Sequence, residues 1–183
     1  MKANGGRISA EAVRSELTPV PNELAQSSRG LGGPLVGTNI CVVGAGFVGL
    51  VAAAGFAEFG HSVVCVEKHE EYLERLQSGR IPFYERDLDT LVNKHLRSKR
   101  LSFSGDLSSA IRDQKAIFIT VGTPSSASGR ADLSALDEVF TTIANHADAS
   151  QVIVLKSTVP VGTGKRIQEI LRSRANGSAP AVV

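Results

Sequence analysis

Asn39-Ile40-Cys41-Val42-Val43-Gly44-Ala45-Gly46-Phe47-Val48-Gly49-Leu50 is the stretch whose reading decides the fold. Its first five residues form a short apolar run that suits a buried strand. A glycine-rich turn follows, and small residues from Leu50 to Phe59 then read as a helix. Gly60-His61 breaks that helix. A second strand, Ser62-Val63-Val64-Cys65-Val66, ends on the acid Glu67. Gly44 permits a tight turn off the first strand, and Gly46 has no Cβ to block a diphosphate. Gly49 lets the helix approach the sheet closely, helped by Ala52, Ala53 and Ala54. The backbone N–H groups that open such a helix are unpaired and carry the positive end of its dipole, which suits a pyrophosphate. Glu67 stands where a carboxylate accepts hydrogen bonds from an adenosine ribose, with a solvated strand-end charge as the alternative. A carboxylate there repels a 2′-phosphate and favours NAD over NADP, although Lys68 beside it softens that choice if it is not simply solvated.

The remaining sequence continues the alternation. Glu70 to Gln77 reads as a helix stopped by Ser78-Gly79. Glu85 to Arg97 reads as a second helix, with Leu88, Leu91, Val92 and Leu96 on one face. Leu101 to Phe103 is a short strand, and Asp106 caps a short helix through Arg112. Ala116 to Val121 is a strand, and the Gly-, Ser- and Pro-rich loop Gly122 to Ala131 follows it. Asp132 then caps a helix bearing Leu133, Leu136, Phe140 and Ile143. Val152 to Leu155 is a buried strand, Gly164 to Arg174 a last helix, and Ala181 to Val183 opens a sixth strand. Alternating strands and helices imply a doubly wound parallel sheet of the Rossmann kind, an α/β/α arrangement in three layers. Ligands bind such sheets beyond the carboxyl ends of the strands. That rule gathers Gly44 to Gly49, Val121 to Pro124 and Lys156 to Gly162 around one crevice.

With 183 residues, 42% hydrophobic and 21% charged, the chain can build one good core but not two large domains. A net charge of +2 and the lack of a basic stripe interleaved with aromatics argue against nucleic acid. No apolar stretch approaches the ~20 residues that span a bilayer. Residues 1–38 mix Gly, Ser, Pro and scattered charges and read as a flexible, disordered tail, with a docking arm as the alternative and a brief helix over Ile8 to Leu17. The folded domain is read as residues 39–183. Position 2 is a lysine, but no signal-length apolar segment follows it. Both cysteines, Cys41 and Cys65, fall in buried strands and read as small core residues of a reducing cytoplasm. No metal-ligand spacing surrounds them. His61, His69, His95 and His146 are scattered and read as surface or packing residues. Arg80, Arg86, Lys94, Arg97, Lys99 and Arg100 read as a solvated face.

The chain resembles the N-terminal domain of the UDP-glucose/GDP-mannose dehydrogenase family from about Asn39 onward. The pieces that carry the resemblance are Gly44-Ala45-Gly46-Phe47-Val48-Gly49-Leu50, Glu58-Phe59-Gly60-His61-Ser62-Val63, Val121-Gly122-Thr123-Pro124, Ala131-Asp132-Leu133 and Lys156-Ser157-Thr158-Val159-Pro160-Val161-Gly162-Thr163. The first suits many dehydrogenases, whereas the two later loops are more selective. The second of them looks more like UDP-glucose 6-dehydrogenases than GDP-mannose enzymes.

The resemblance implies oxidation of a sugar's C6 alcohol to a carboxylate with two NAD in succession, and UDP-glucose as the nucleotide-sugar partner. It puts Gly44, Gly46, Phe47, Val48, Gly49, Glu67, Val121, Gly122, Thr123, Pro124, Ser157 and Thr158 at the cofactor. Thr123 and Lys156 are possible supporting groups for the chemistry. Each has a plainer reading: Thr123 satisfying its own turn, Lys156 pairing with a local acid, Ser157 and Thr158 capping the last helix. Glu85 matches a loop acid read as structural, and His61 a turn position. The family more often has Asp where Glu67 stands, and Leu155 replaces a carboxylate that some relatives place before the lysine. The family holds its aldehyde intermediate on a cysteine in a later domain and dimerises through a central helix, both beyond Val183. The expectation is therefore a chain that binds NAD weakly and cannot complete the oxidation alone, or a non-catalytic NAD-binding module or gene remnant.

Overall fold

The computed structural model describes residues 37–125, 129, 131–174 and 179–183. Residues 1–36 of the tail expected from the sequence, with the Ile8 to Leu17 helix, lie outside these residues. Six strands form one parallel sheet: β1 (Asn39–Val43), β2 (Ser62–Val66), β3 (Leu101–Ser104), β4 (Ala116–Ile119), β5 (Val152–Leu155) and β6 (Ala181–Val182). Their spatial order is β3-β2-β1-β4-β5-β6, so the chain returns to the middle of the sheet between β3 and β4. The pairing register includes Asn39 with Ser62 and Ile40 with Ala116. The helices are α1 (Phe47–Glu58), α2 (Glu70–Gln77), α3 (Leu88–Arg97), α4 (Leu107–Ala110), α5 (Ser134–His146) and α6 (Thr163–Arg174). Among the described residues, no helix is long and apolar enough to cross a membrane.

Side chains alternate across a strand, and here that alternation feeds two cores. Ile40, Val42, Val63, Cys65, Leu101 and Phe103 join Leu50, Ala53, Ala54 and Ala57 of α1, with Leu76 and Val92 from α2 and α3. On the other face, Cys41, Val43, Ile117, Ile119 and Ile153 pack with Leu136, Phe140 and Ile143 of α5 and Ile167 and Leu171 of α6. Cys41 and Cys65 thus lie on opposite faces of the sheet, and both thiols are free and buried. Burial pushes the Cys41 thiol up to about 12 and raises that of Cys65 further above its ordinary value. The expectation of inert core cysteines is met.

Several boundaries differ from the sequence reading, each for a local reason. α1 begins at Phe47 rather than Leu50, because the glycine turn runs straight into the first helical turn. α3 begins at Leu88 rather than Glu85, since Asp87 sits in the left-handed region at φ 62°. β4 stops at Ile119 rather than Val121, where its pairings with Val43 and Leu155 end. α4 ends at Ala110, short of Arg112, although Asp106 caps it as expected by accepting from the Ser108 amide at 2.9 Å. Asp132 accepts from the Ser134 amide at the start of α5. At the front of the domain, Thr38 is already tied in: its carbonyl accepts from Ser62 and its amide donates to His61 Nδ1.

His95 is the buried exception among the histidines. Its Nε2 lies 2.6 Å from Glu58 Oε2, and Lys94 Nζ reaches the same carboxylate, so α1 and α3 are joined by charge as well as packing. The Lys94 and His95 contacts hold the Glu58 carboxyl below its ordinary value. His95 Nδ1 is buried without a partner, which costs free energy that the surrounding apolar contacts must offset.

Candidate functional site

The carboxyl ends of β1, β2 and β4 open onto a cleft of about 390 Å³ at the point where the strand order reverses. The turn from β1 to α1 forms one wall. Gly44 has φ +100°, a conformation that side chains rarely adopt, and its amide donates to the Val66 carbonyl at the end of β2. A Cβ on Gly49 would collide with the Gly44 carbonyl oxygen and would meet Thr120 Oγ1 at 2.5 Å. Gly49 therefore serves the close packing of the turn on the helix and does not line the cleft. Gly46 is its opposite, since a Cβ there meets nothing within 4 Å, and Gly46 lines the cleft. No side chain caps the start of α1, and its first turn holds no acid. Its orphan amides and positive dipole end are thus available to an anion.

Thr120 braces this turn. Its hydroxyl lies 2.9 Å from both the Val43 and Gly44 carbonyls, close enough to donate to either. Tyr72 of α2 reaches the Ala45 carbonyl with its hydroxyl at 3.4 Å. Burial, and then the charge of Glu67, hold the Tyr72 hydroxyl above its ordinary value, so it remains a donor. Neither residue was singled out in the sequence. A threonine at a strand end and a tyrosine in a helix carry no local signal of a contact so distant along the chain.

Glu67 sits at the end of β2 and is only 8% exposed although it lines the cleft. Its Oε1 accepts from the His69 amide at 2.9 Å, which folds the carboxylate back on its own turn and fixes its direction. Opposite it, Ala135, Glu138, Val139 and Thr142 of α5 form the far wall, with Gly105 and Leu107 at the rim. The helical spacing of the α5 residues puts them on one face, but the sequence alone did not say which face would meet a cleft.

Val121 and Gly122 also line this cleft, whereas Phe47, Val48, Thr123, Pro124, Lys156, Ser157 and Thr158 do not. Phe47 is 54% exposed and stacks against Phe83 with ring centroids 5.3 Å apart. Val48 is 50% exposed. The two later loops are sewn to each other by hydroxyls. Thr123 Oγ1 donates to the Thr158 carbonyl at 2.7 Å, and Ser157 Oγ donates to the Val121 carbonyl at 2.7 Å. The plainer readings of these two residues are replaced by cross-loop bonds: Thr123 satisfies the neighbouring loop rather than its own turn, and Ser157 ties back to the loop after β4 rather than capping α6. The Pro124 carbonyl accepts from the Asp132 amide, and the backbone amide of Lys156 donates to Ile119. The Lys156 side chain is exposed and has no carboxylate partner among the described residues. Among the described residues, no cluster of His, Cys, Asp or Glu is arranged to hold a metal ion.

The residues of the cleft fit a dinucleotide on the structure's own terms: an open glycine above uncapped helix amides, and a fixed carboxylate at the neighbouring strand end. Comparison with known proteins agrees. Residues 38–182 match the family model of the UDP-glucose/GDP-mannose dehydrogenase NAD-binding domain. The chain is 46% identical over 138 residues to the UDP-glucose 6-dehydrogenase TuaD of Bacillus subtilis, covering 75% of this chain and 30% of that one. It is 44% identical over 133 residues to the UDP-glucose 6-dehydrogenase of Pseudomonas aeruginosa, covering 73% of this chain and 29% of that one. A UDP-glucose dehydrogenase structure from Pyrobaculum islandicum superposes with a TM-score of 0.75 at 34% identity, over 83% of this chain and 36% of that one. A GDP-mannose dehydrogenase ternary complex from Pseudomonas aeruginosa gives 0.71 at 27% identity, over 78% and 34%. The chain thus spans about 30% of the length of the curated relatives it matches. It belongs to the UDP-glucose/GDP-mannose dehydrogenase family, and what it contains is that family's NAD-binding domain.

Proposed function

We propose that this chain is the NAD-binding part of a nucleotide-sugar 6-dehydrogenase that acts on UDP-glucose. The observation that carries the reading is the pairing, in one cleft, of Gly46 without Cβ neighbours and the buried carboxylate of Glu67. The amides at the start of α1 hold the pyrophosphate, and Gly46 lets it approach the backbone. Glu67, held by the His69 amide through Oε1, presents its other oxygen to the ribose hydroxyls. NAD, when bound, accepts hydride from the C6 carbon of the sugar.

The Thr123–Thr158 and Ser157–Val121 hydrogen bonds keep the loops after β4 and β5 together beside the cleft. Lys156, exposed beside them, offers a cation to substrate or to a reacting oxygen. The preference for UDP-glucose rests on the relatives' names and on the Lys156 to Thr163 loop. Neither thiol of this chain serves as a nucleophile, because burial keeps both protonated at neutral pH. That inertness also favours a second reading, in which the chain acts as an NAD-binding module for another polypeptide that supplies the thiol.

Titration of the chain with NAD by calorimetry, with and without UDP-glucose, tests the first reading. Binding should appear below about 1 mM, and NAD together with UDP-glucose should yield no NADH from this chain. Silence up to that concentration counts against the cleft as an NAD site. NADH formation from NAD and UDP-glucose by the chain alone would overturn the reading that it only binds the cofactor.

A further inference from the structure

Lys68 and Glu138 reach each other across the mouth of the cleft. Lys68 follows Glu67 at the end of β2, Glu138 stands on α5 at the opposite wall, and Nζ lies 3.4 Å from Oε2. Lys68 is the one lysine among the described residues that line the cleft, and no arginine lines it. A ribose gripped by Glu67 presents its 2′ position to this corner. A cofactor carrying a 2′-phosphate would need a cation there, in the way that a nearby basic residue accommodates NADP in other dinucleotide folds. The local supply is Lys68, and Glu138 already occupies it.

From this geometry, and resting on the NAD reading above, we propose that Glu138 is a specificity-determining residue. It holds the Lys68 ammonium away from the ribose, so the corner meets a 2′-phosphate with two carboxylates and an occupied lysine. The four α5 residues at the cleft divide the work. Ala135 and Val139 give an apolar wall suited to the flat face of an adenine, while Glu138 and Thr142 form its polar edge. The pair is largely solvated, with side chains 63% and 69% exposed, so its effect on selectivity is graded rather than absolute. Salt should weaken it further.

The test compares NAD and NADP as competitors of NADH fluorescence on the whole chain, in wild type, Glu138→Gln, Glu138→Lys, Lys68→Ala and the Lys68→Ala/Glu138→Gln double variant. The quantity read is the ratio of the NADP to the NAD dissociation constant. Glu138→Gln should lower that ratio roughly two- to fivefold, the span expected of an exposed ion pair, and Glu138→Lys should lower it more. Without Lys68 to release, the Glu138→Gln change should have little further effect on the ratio. An unchanged ratio in both single Glu138 variants overturns the proposal. An equal fall in the double variant overturns it as well, because the glutamate would then act by direct repulsion. If the wild-type chain binds neither nucleotide, the NAD reading falls and this inference falls with it. NAD binding with an unmoved ratio removes only this inference.

Discussion

The turn after β1, which walls the cleft, and the loops after β4 and β5, of which Thr120, Val121 and Gly122 alone reach it among the described residues, are held by different means. The first is fixed by packing: Gly49 is pressed under the Gly44 carbonyl, Gly44 adopts a conformation that few residues share, and Ala53, Ala54 and Ala57 lie buried beneath. The second is held by hydrogen bonds: two from the hydroxyls of Thr123 and Ser157, and two from the Lys156 and Ser157 amides to the Ile119 carbonyl, between otherwise half-exposed segments. Close packing leaves no intermediate state, so one added methyl group is felt at once. A hydrogen bond at the surface can exchange for water at modest net cost. The glycine-turn end of the site is therefore preformed, and the later-loop end is adjustable.

Paired glycine substitutions give the sharpest test of that contrast. Gly49→Val should cost upwards of about 3 kcal/mol, the top of the usual range for overpacking, because the clashing atom is a backbone oxygen that cannot swing aside. Urea denaturation should show the loss together with failure of NAD binding. Gly46→Val has the second-largest expected effect, and it should fall on the ligand alone. Its backbone, at φ −67° and ψ −173°, suits any residue, so stability should stay within ~0.5 kcal/mol of wild type while NAD binding disappears. A folded Gly46→Val chain with wild-type affinity would mean that the pyrophosphate does not approach there.

Smaller effects belong to the adjustable end and the rim. Ser157→Ala should cost about 1 kcal/mol, the ordinary worth of one hydrogen bond, and Thr123→Val less, because its bond is more exposed. Equal losses at Ser157 and Gly49 in the same denaturation assay would erase the distinction between the two regions. The smallest change is one of pH dependence at the rim. The Ser108 and Ser109 hydrogen bonds hold the Asp106 carboxyl at about 2, below its ordinary 3.8. A depressed folded value contributes stability that is complete above 3.8 and is lost as pH falls toward about 2. Asp106→Asn should flatten the acid limb of the stability curve in that window. An unaltered slope would show that this cap does not titrate with folding.

The sequence made the strands and the glycine turn legible because their signals are local. Val- and Ile-rich apolar runs matched β1, β2 and β5 to the residue. Helix starts were less legible where a left-handed residue intervened, as at Asp87, whose positive φ no composition rule foretells. The α5 wall was invisible because a helix face is assigned only when it meets its neighbour, and periodicity cannot name the neighbour. The resemblance puts Thr123 and Ser157 at the cofactor, and what the structure adds is that their hydroxyls bind the opposite loop. That outcome depends on two strand ends lying side by side, a tertiary fact. His95 shows the same limit, since its partner Glu58 belongs to another helix.

The hydrogen bonds of Thr120 carry a consequence for the order of assembly. The Gly44 carbonyl waits for a hydroxyl 76 positions further along, and β1 cannot be flanked on both sides until β4 arrives. Parallel pairing offers no hairpin shortcut, so loop-closure entropy must be met before the central contacts form. A nascent chain that had emerged only as far as Glu67 would carry the whole glycine fingerprint and still lack its brace. Competence for nucleotide should mature only once β4 and Thr120 have emerged, well after the residues that announce it have left the ribosome.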